Sequence, residues 1–195
     1  MNKSTLRIIL KEVCTMCEVD QDPVLLGSGE AGYVYKVQCN GIDKYAVKIL
    51  TFGKNMSISD FENEVAIIKY LQNKDYTPKY ICAASYQDKY GIIVTELLKC
   101  SLKDLFQSRT WKKADTSDFI KRLKSIITDM FESNIIYSDL NLGNIMFDYD
   151  NNVKIVDYGG VSLNDGSYDK NDELDNTMFQ IDHIEKTLNK VNSKV

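Results

Sequence analysis

The chain has 195 residues, with Lys+Arg 24 against Asp+Glu 28 and a net charge of −4. That balance excludes a nucleic-acid binder working by phosphate neutralisation, which needs a basic excess. Apolar residues at 44% and charged residues at 27% exclude disorder over most of the length and suit one domain, or two small lobes sharing a cleft.

No stretch approaches the ~20 apolar residues of a membrane helix, so no membrane span is expected. The short apolar run before Lys11 and Glu12 falls below the ~7–15 residues of a signal-peptide core. Five cysteines, at 14, 17, 39, 82 and 100, form an odd and irregular set. This points to a reducing compartment rather than a disulfide framework. Cys14 and Cys17 have the spacing of half a zinc site. No second such pair follows, and the single histidine, His183, is remote, so they read as thiols on a helix.

In chain order, 4–18 reads as an amphipathic helix, with Ser4 as cap and Leu6, Ile9, Leu10 and Val13 on one face. Two β-rich runs, 32–38 and 44–50, flank Asn40-Gly41, a hairpin signal. Residues 60–71 are expected to be helical, with Phe61, Val65, Ile68 and Leu71 inward. Strands follow at 80–86 and 91–96. The first half is thus a small antiparallel sheet with one inserted helix. Beyond 97–101 the pattern turns helical: a short helix at 101–106, then a longer one at 116–132 burying Phe119, Leu123, Ile126, Ile127 and Met130. Two short β runs, 145–148 and 153–156, precede a polar loop at 162–172. A final helix over 173–189 presents Met178, Phe179, Ile181, Ile184 and Leu188 inward.

Three constellations carry chemistry. Leu26-Gly27-Ser28-Gly29-Glu30-Ala31-Gly32-Tyr33-Val34 is GxGxxG followed by x-V. A strand rather than a helix follows it, so a glycine turn between strands lets backbone N–H groups approach a triphosphate from above. Lys48 ends Tyr45-Ala46-Val47-Lys48, and Glu64 lies sixteen residues on, on the helix; the neighbouring Glu62 projects roughly 200° away at ~100° per residue. If the helix packs on the sheet, Glu64 meets Lys48 and holds its ammonium toward α- and β-phosphates. Asp139 and Asn144 share a loop, where a carboxylate accepts or orients a hydroxyl proton and an amide oxygen suits a hard cation. Thirteen residues later, Asp157-Tyr158-Gly159 places another carboxylate at a sharp bend suited to Mg²⁺. Taken singly, each is also an ordinary turn, edge lysine or exposed acid.

Their joint order, from Leu26 to Gly159, resembles the protein kinase family. The resemblance implies an α+β, bilobal fold: an N-terminal helix at 1–20, an antiparallel β-sheet N-lobe with one helix at 21–97, and a reduced, mainly helical C-lobe at 98–195. It implies that Gly27, Ser28, Gly29 and Gly32 cover the phosphates of ATP and that Lys48, paired with Glu64, contacts them. Asp139 would be the catalytic base, with Asn144 and Asp157 holding Mg²⁺. Thr95 would precede a hinge whose Glu96 and Leu98 backbone reads the adenine edge, with Leu26, Val34, Ala46 and Met146 around the ring.

Departures qualify the resemblance. Tyr137-Ser138-Asp139 stands where the family has His-Arg-Asp, so the arginine that receives an activation-loop phosphate is absent. Asn141 replaces a common lysine, and Tyr158 the usual phenylalanine. No Ala-Pro-Glu follows Gly159, and the last helix stands in for the large central helix, with Asp175 as a weak candidate anchor of the catalytic loop. The Asp-Leu-Asn-x-Gly-Asn loop resembles the minimal kinases secreted by bacterial pathogens or encoded by large DNA viruses. The resemblance implies a protein kinase acting on a protein substrate, Ser/Thr favoured over Tyr, as a cytoplasmic monomer (host cytoplasm for a secreted effector or viral protein) with an activating protein partner. A small-molecule phosphotransferase on the same fold and a non-catalytic pseudokinase module remain the alternatives.

Overall fold

The computed structural model describes residues 3–13, 22–29, 32–39, 41, 43–163 and 170–190. Cys14, Cys17, Glu30, Ala31 and residues 164–169 of the polar loop lie outside them. The chain divides into two compact units, Met1–Leu98 and Lys99–Val195. An antiparallel sheet dominates the first and helices the second, the expected α+β make-up. No helix among the described residues is long and apolar enough to cross a membrane.

The first unit contains α1 (Lys3–Val13), β1 (Val24–Ser28), β2 (Gly32–Cys39), β3 (Asp43–Thr51), α2 (Ile58–Tyr70), β4 (Tyr80–Tyr86) and β5 (Tyr90–Glu96). The strands form one sheet in the order β1-β2-β3-β5-β4. The 39–43 hairpin forms as expected: Cys39 pairs with Asp43, and Gly41 takes φ 73°. Alternation sorts the side chains to two faces. On one face Tyr35, Val37, Val47, Ile49, Ile92 and Val94 pack against Leu6, Ile9 and Leu10, so the N-terminal helix covers that face.

On the other face lies α2. Ser57 caps it: Asp60 N–H donates to Ser57 Oγ at 3.1 Å, and Ser57 N–H donates back to the Asp60 carboxylate at 2.8 Å. Phe61, Glu64, Ile67 and Ile68 are its buried residues. Val65, expected inward, is only half-buried. The inward stripe thus includes Glu64, which meets a cation on the sheet.

The second unit contains β6 (Cys100–Ser101), α3 (Leu102–Gln107), α4 (Thr116–Glu132), β7 (Ile135–Tyr137), β8 (Ile145–Phe147), β9 (Val153–Ile155), β10 (Val161–Leu163) and α5 (Lys170–Lys190). Its core joins Phe119, Leu123, Ile126, Ile127 and Met130 of α4 to Ile181, Ile184 and Leu188 of α5. Phe179 corrects the expected α5 face: it is 70% exposed, and Thr177 takes an inward position instead. β8 pairs with both β6 and β9, and β10 pairs with β7. The pairings of β6, β7 and β10 are additions that their two- or three-residue lengths did not advertise.

Candidate active site

In the first unit the glycine turn joins β1 to β2. Gly27 stands opposite Val34 across a bulge at Leu26, and Gly29 N–H donates to the Gly32 carbonyl at 2.9 Å, closing the turn. A Cβ on Gly27 or Gly29 would meet nothing within 4 Å, whereas one on Gly32 would lie 2.0 Å from the Ile49 carbonyl oxygen. Gly32 is therefore fixed by the β2–β3 ladder, while Gly27 and Gly29 leave open backbone. Leu26 is exposed beside them, and Ser28 ends β1.

Register places the remaining first-unit candidates. Val34 pairs with Lys48, and Ala46 with Thr95. Directly opposed residues share a face, so Val34, Ala46, Lys48 and Thr95 all lie on the α2 side of the sheet. There Lys48 Nζ donates to Glu64 Oε1 at 2.7 Å. Glu64 is 1% exposed, an acid seldom buried without a partner; Glu62 is exposed. Beyond β5, Glu96 N–H donates to the Lys79 carbonyl at 2.9 Å, Thr95 Oγ1 donates to the Glu96 carbonyl at 3.4 Å, and Leu98 is buried.

In the second unit, the loop after β7 holds Asp139, Asn141 and Asn144. Asn144 Nδ2 donates to Asp139 Oδ2 and to its carbonyl, both at 3.0 Å. Asn141 Nδ2 donates to Asp139 Oδ1 and carbonyl at 3.2 Å, and its own Oδ1 accepts from Gly143 N–H at 2.8 Å. Two amides thus orient one exposed carboxylate. Ile145 pairs with Ile155, and Val156 N–H donates to the Asn144 carbonyl at 3.0 Å. Asn144 and Asp157 therefore sit at the same end of the β8–β9 hairpin, with Met146 half-buried on β8. Asp157 takes φ 65° and ψ 76°, the left-handed region disfavoured for a residue with a Cβ.

These donors fit a hard cation. An amide oxygen, a carboxylate and substrate phosphates are the usual Mg²⁺ company, and such sites need no all-protein cage. Among the described residues no group of three or more His, Cys, Asp or Glu could hold a metal by itself.

Residue-type motifs missed several groups here. Tyr137 Oη donates to the Val156 carbonyl at 2.6 Å, fixing the residue that precedes Asp157. Burial holds this phenol's pKa well above its usual value, with the nearby Asp157 charge acting the same way. Asp175 is exposed and does not anchor the loop; Gln180 and Thr177 of α5 bond to its backbone instead. A neutral amide and a hydroxyl on a helix carry no motif signature in the sequence.

The protein kinase domain model matches residues 21–179. The chain belongs to the protein kinase family. Among its curated relatives is the dual specificity protein kinase shkE of Dictyostelium discoideum, 32% identical over 149 residues, covering 69% of this chain and 19% of the relative. The cysteine-rich receptor-like protein kinase 5 of Arabidopsis thaliana is 31% identical over 143 residues, covering 69% of this chain and 21% of the relative. A G-type lectin S-receptor-like serine/threonine-protein kinase of the same plant is 28% identical over 151 residues, covering 73% and 19%. The chain spans about a fifth of the length of these relatives.

Proposed function

We propose that this chain is a protein kinase that transfers the γ-phosphoryl group of ATP to a protein hydroxyl, with Ser/Thr as the favoured acceptor. The observation that carries the reading is the 2.7 Å Lys48–Glu64 ion pair. Burying a carboxylate to hold one ammonium has a ready purpose when that ammonium must face phosphates. The acceptor preference draws on the names of the relatives, which include serine/threonine and dual specificity kinases.

In this reading the Gly27–Gly32 turn covers the phosphates and Lys48 contacts the α- and β-phosphates. The ring lies among Leu26, Val34, Ala46 and Met146, and the backbone of Glu96 and Leu98 reads its edge. Asn144 and Asp157 would hold Mg²⁺, which would supply positive charge against that of the phosphates. Asp139 orients the acceptor hydroxyl and takes its proton as the new O–P bond forms; the bond from Pγ to the β-phosphate oxygen breaks, and ADP leaves. Ser138 in place of arginine fits a kinase without activation-loop switching, as in the compact effector or viral kinases. The odd, irregularly spaced set of five cysteines fits a cytoplasmic setting. A monomer that depends on an activating protein is part of the same proposal.

The test compares wild type, Lys48→Met and Asp157→Asn. Wild type should be stabilised by ATP only with Mg²⁺ and should label protein acceptors from γ-labelled ATP. Both variants should stay folded and lose transfer by about a hundredfold or more. Label appearing only on sugar or choline acceptors would establish a small-molecule kinase. Indifference to nucleotide would establish a binding module.

A further inference from the structure

The 137–140 segment is pinned by side chains of α5. Thr177 Oγ1 donates to the Tyr137 carbonyl at 3.1 Å. Gln180 Nε2 donates to the Ser138 carbonyl at 2.9 Å, and Leu140 N–H donates to Gln180 Oε1 at 3.1 Å. Thr177 and Gln180 are three residues apart, hence neighbours on one helix face. The same helix is anchored by buried Ile181, Ile184 and Leu188.

The geometry is specific to Asp139. The Ser138 carbonyl belongs to the peptide unit before its Cα, and the Leu140 N–H to the unit after it. Fixing both planar units fixes φ and ψ of the residue between them, and with them the direction of its Cα–Cβ bond. A primary amide carries N–H donors and a carbonyl acceptor side by side on one planar end. An ionised carboxylate at 180 would keep the acceptor and set an anion against the Ser138 carbonyl.

We propose that Gln180 is a positioning residue for catalysis, aiming the Asp139 carboxylate by clasping the backbone on both sides of it. This rests on the reading of Asp139 as the group that receives the acceptor's proton. The clasp sets where the carboxylate points; it takes no part in nucleotide binding. Loss of the clasp should therefore lower kcat and leave the KM for ATP alone.

The full chain is compared with Gln180→Met, Gln180→Glu and Asp175→Ala. Met keeps the length and makes neither bond, Glu keeps the acceptor alone, and Asp175 is the exposed control. The readouts are kcat, the KM for ATP, the MgATP-induced melting shift, and amide exchange at Leu140. Gln180→Met should lose about 30-fold in kcat, in the range expected when a reacting group is misplaced. Its KM should stay within about twofold, as for interactions made only in the transition state. Its Leu140 amide should exchange faster while the MgATP shift persists; Gln180→Glu should recover part of the loss, and Asp175→Ala should match wild type. A wild-type kcat in Gln180→Met, or kcat and the MgATP shift falling together, overturns the positioning role. A wild type that transfers no phosphate overturns the functional reading itself; unchanged Leu140 exchange in Gln180→Met would then overturn the clasp as well.

Discussion

Tyr137 shows how much of this site depends on a neutral hydroxyl. It is 1% exposed and donates to the Val156 carbonyl. Its folded pKa lies well above the usual 10.0, first through burial and then through the Asp157 charge. The unfolded chain therefore releases this proton at lower pH than the folded one. The sign follows: the contribution is fully present below about pH 10 and is lost as pH rises toward the folded pKa. Tyr137→Phe removes the titration together with the bond. It should be less stable than wild type by about 1–2 kcal/mol at neutral pH, and the gap should narrow above about pH 10. Urea denaturation of both proteins at two pH values checks this; a constant gap refutes it. The meetings of Lys48 with Glu64 and of Asp139 with Asn144 were legible in the sequence because charged and amide groups at those spacings have few joint explanations. The contacts of Tyr137 and Gln180 were not, because they depend on which carbonyl or N–H each side chain reaches across the fold.

Among the elements, α2 matters most, because it carries Glu64 to Lys48. Its approach to β5 depends on Gly91: a Cβ there would lie 2.6 Å from Phe61 Cδ2 and 3.0 Å from Phe52 Cζ. Gly91→Ala should push Phe61 outward and draw Glu64 from Lys48. Overpacking of this kind costs about 1–3 kcal/mol, and phosphotransfer should fall alongside the melting temperature. Unchanged activity with a lowered melting temperature would separate packing from the ion pair and refute the link. Helix α4 was readable end to end, since Phe119, Leu123, Ile126, Ile127 and Met130 recur at helical spacing and all become buried. Elsewhere periodicity misled. Ile67 is buried where Val65 was expected, and Phe179 faces water. The strands Cys100–Ser101, Ile135–Tyr137 and Val161–Leu163 are too short to show alternation and exist only through their partners.

For the molecule as a whole, the family match and the physical core have different borders. The matched span, 21–179, omits α1 and stops one residue before Gln180. A chain cut to that span loses Leu6, Ile9 and Leu10 from one unit and Ile181, Ile184 and Leu188 from the other, all buried. At about 1.5–3 kcal/mol per large apolar side chain, each unit forfeits roughly 5–9 kcal/mol. Folded domains are stable by only about 5–15 kcal/mol. The shortened chain should show no cooperative melting by circular dichroism, and a sharp transition would refute the estimate. At Asp157 the backbone bends in a way glycine would tolerate more easily. Selection for ruggedness alone would favour glycine there, whereas the proposed Mg²⁺ role would favour the acid. The sturdiest descendant of this chain is therefore not its most useful one.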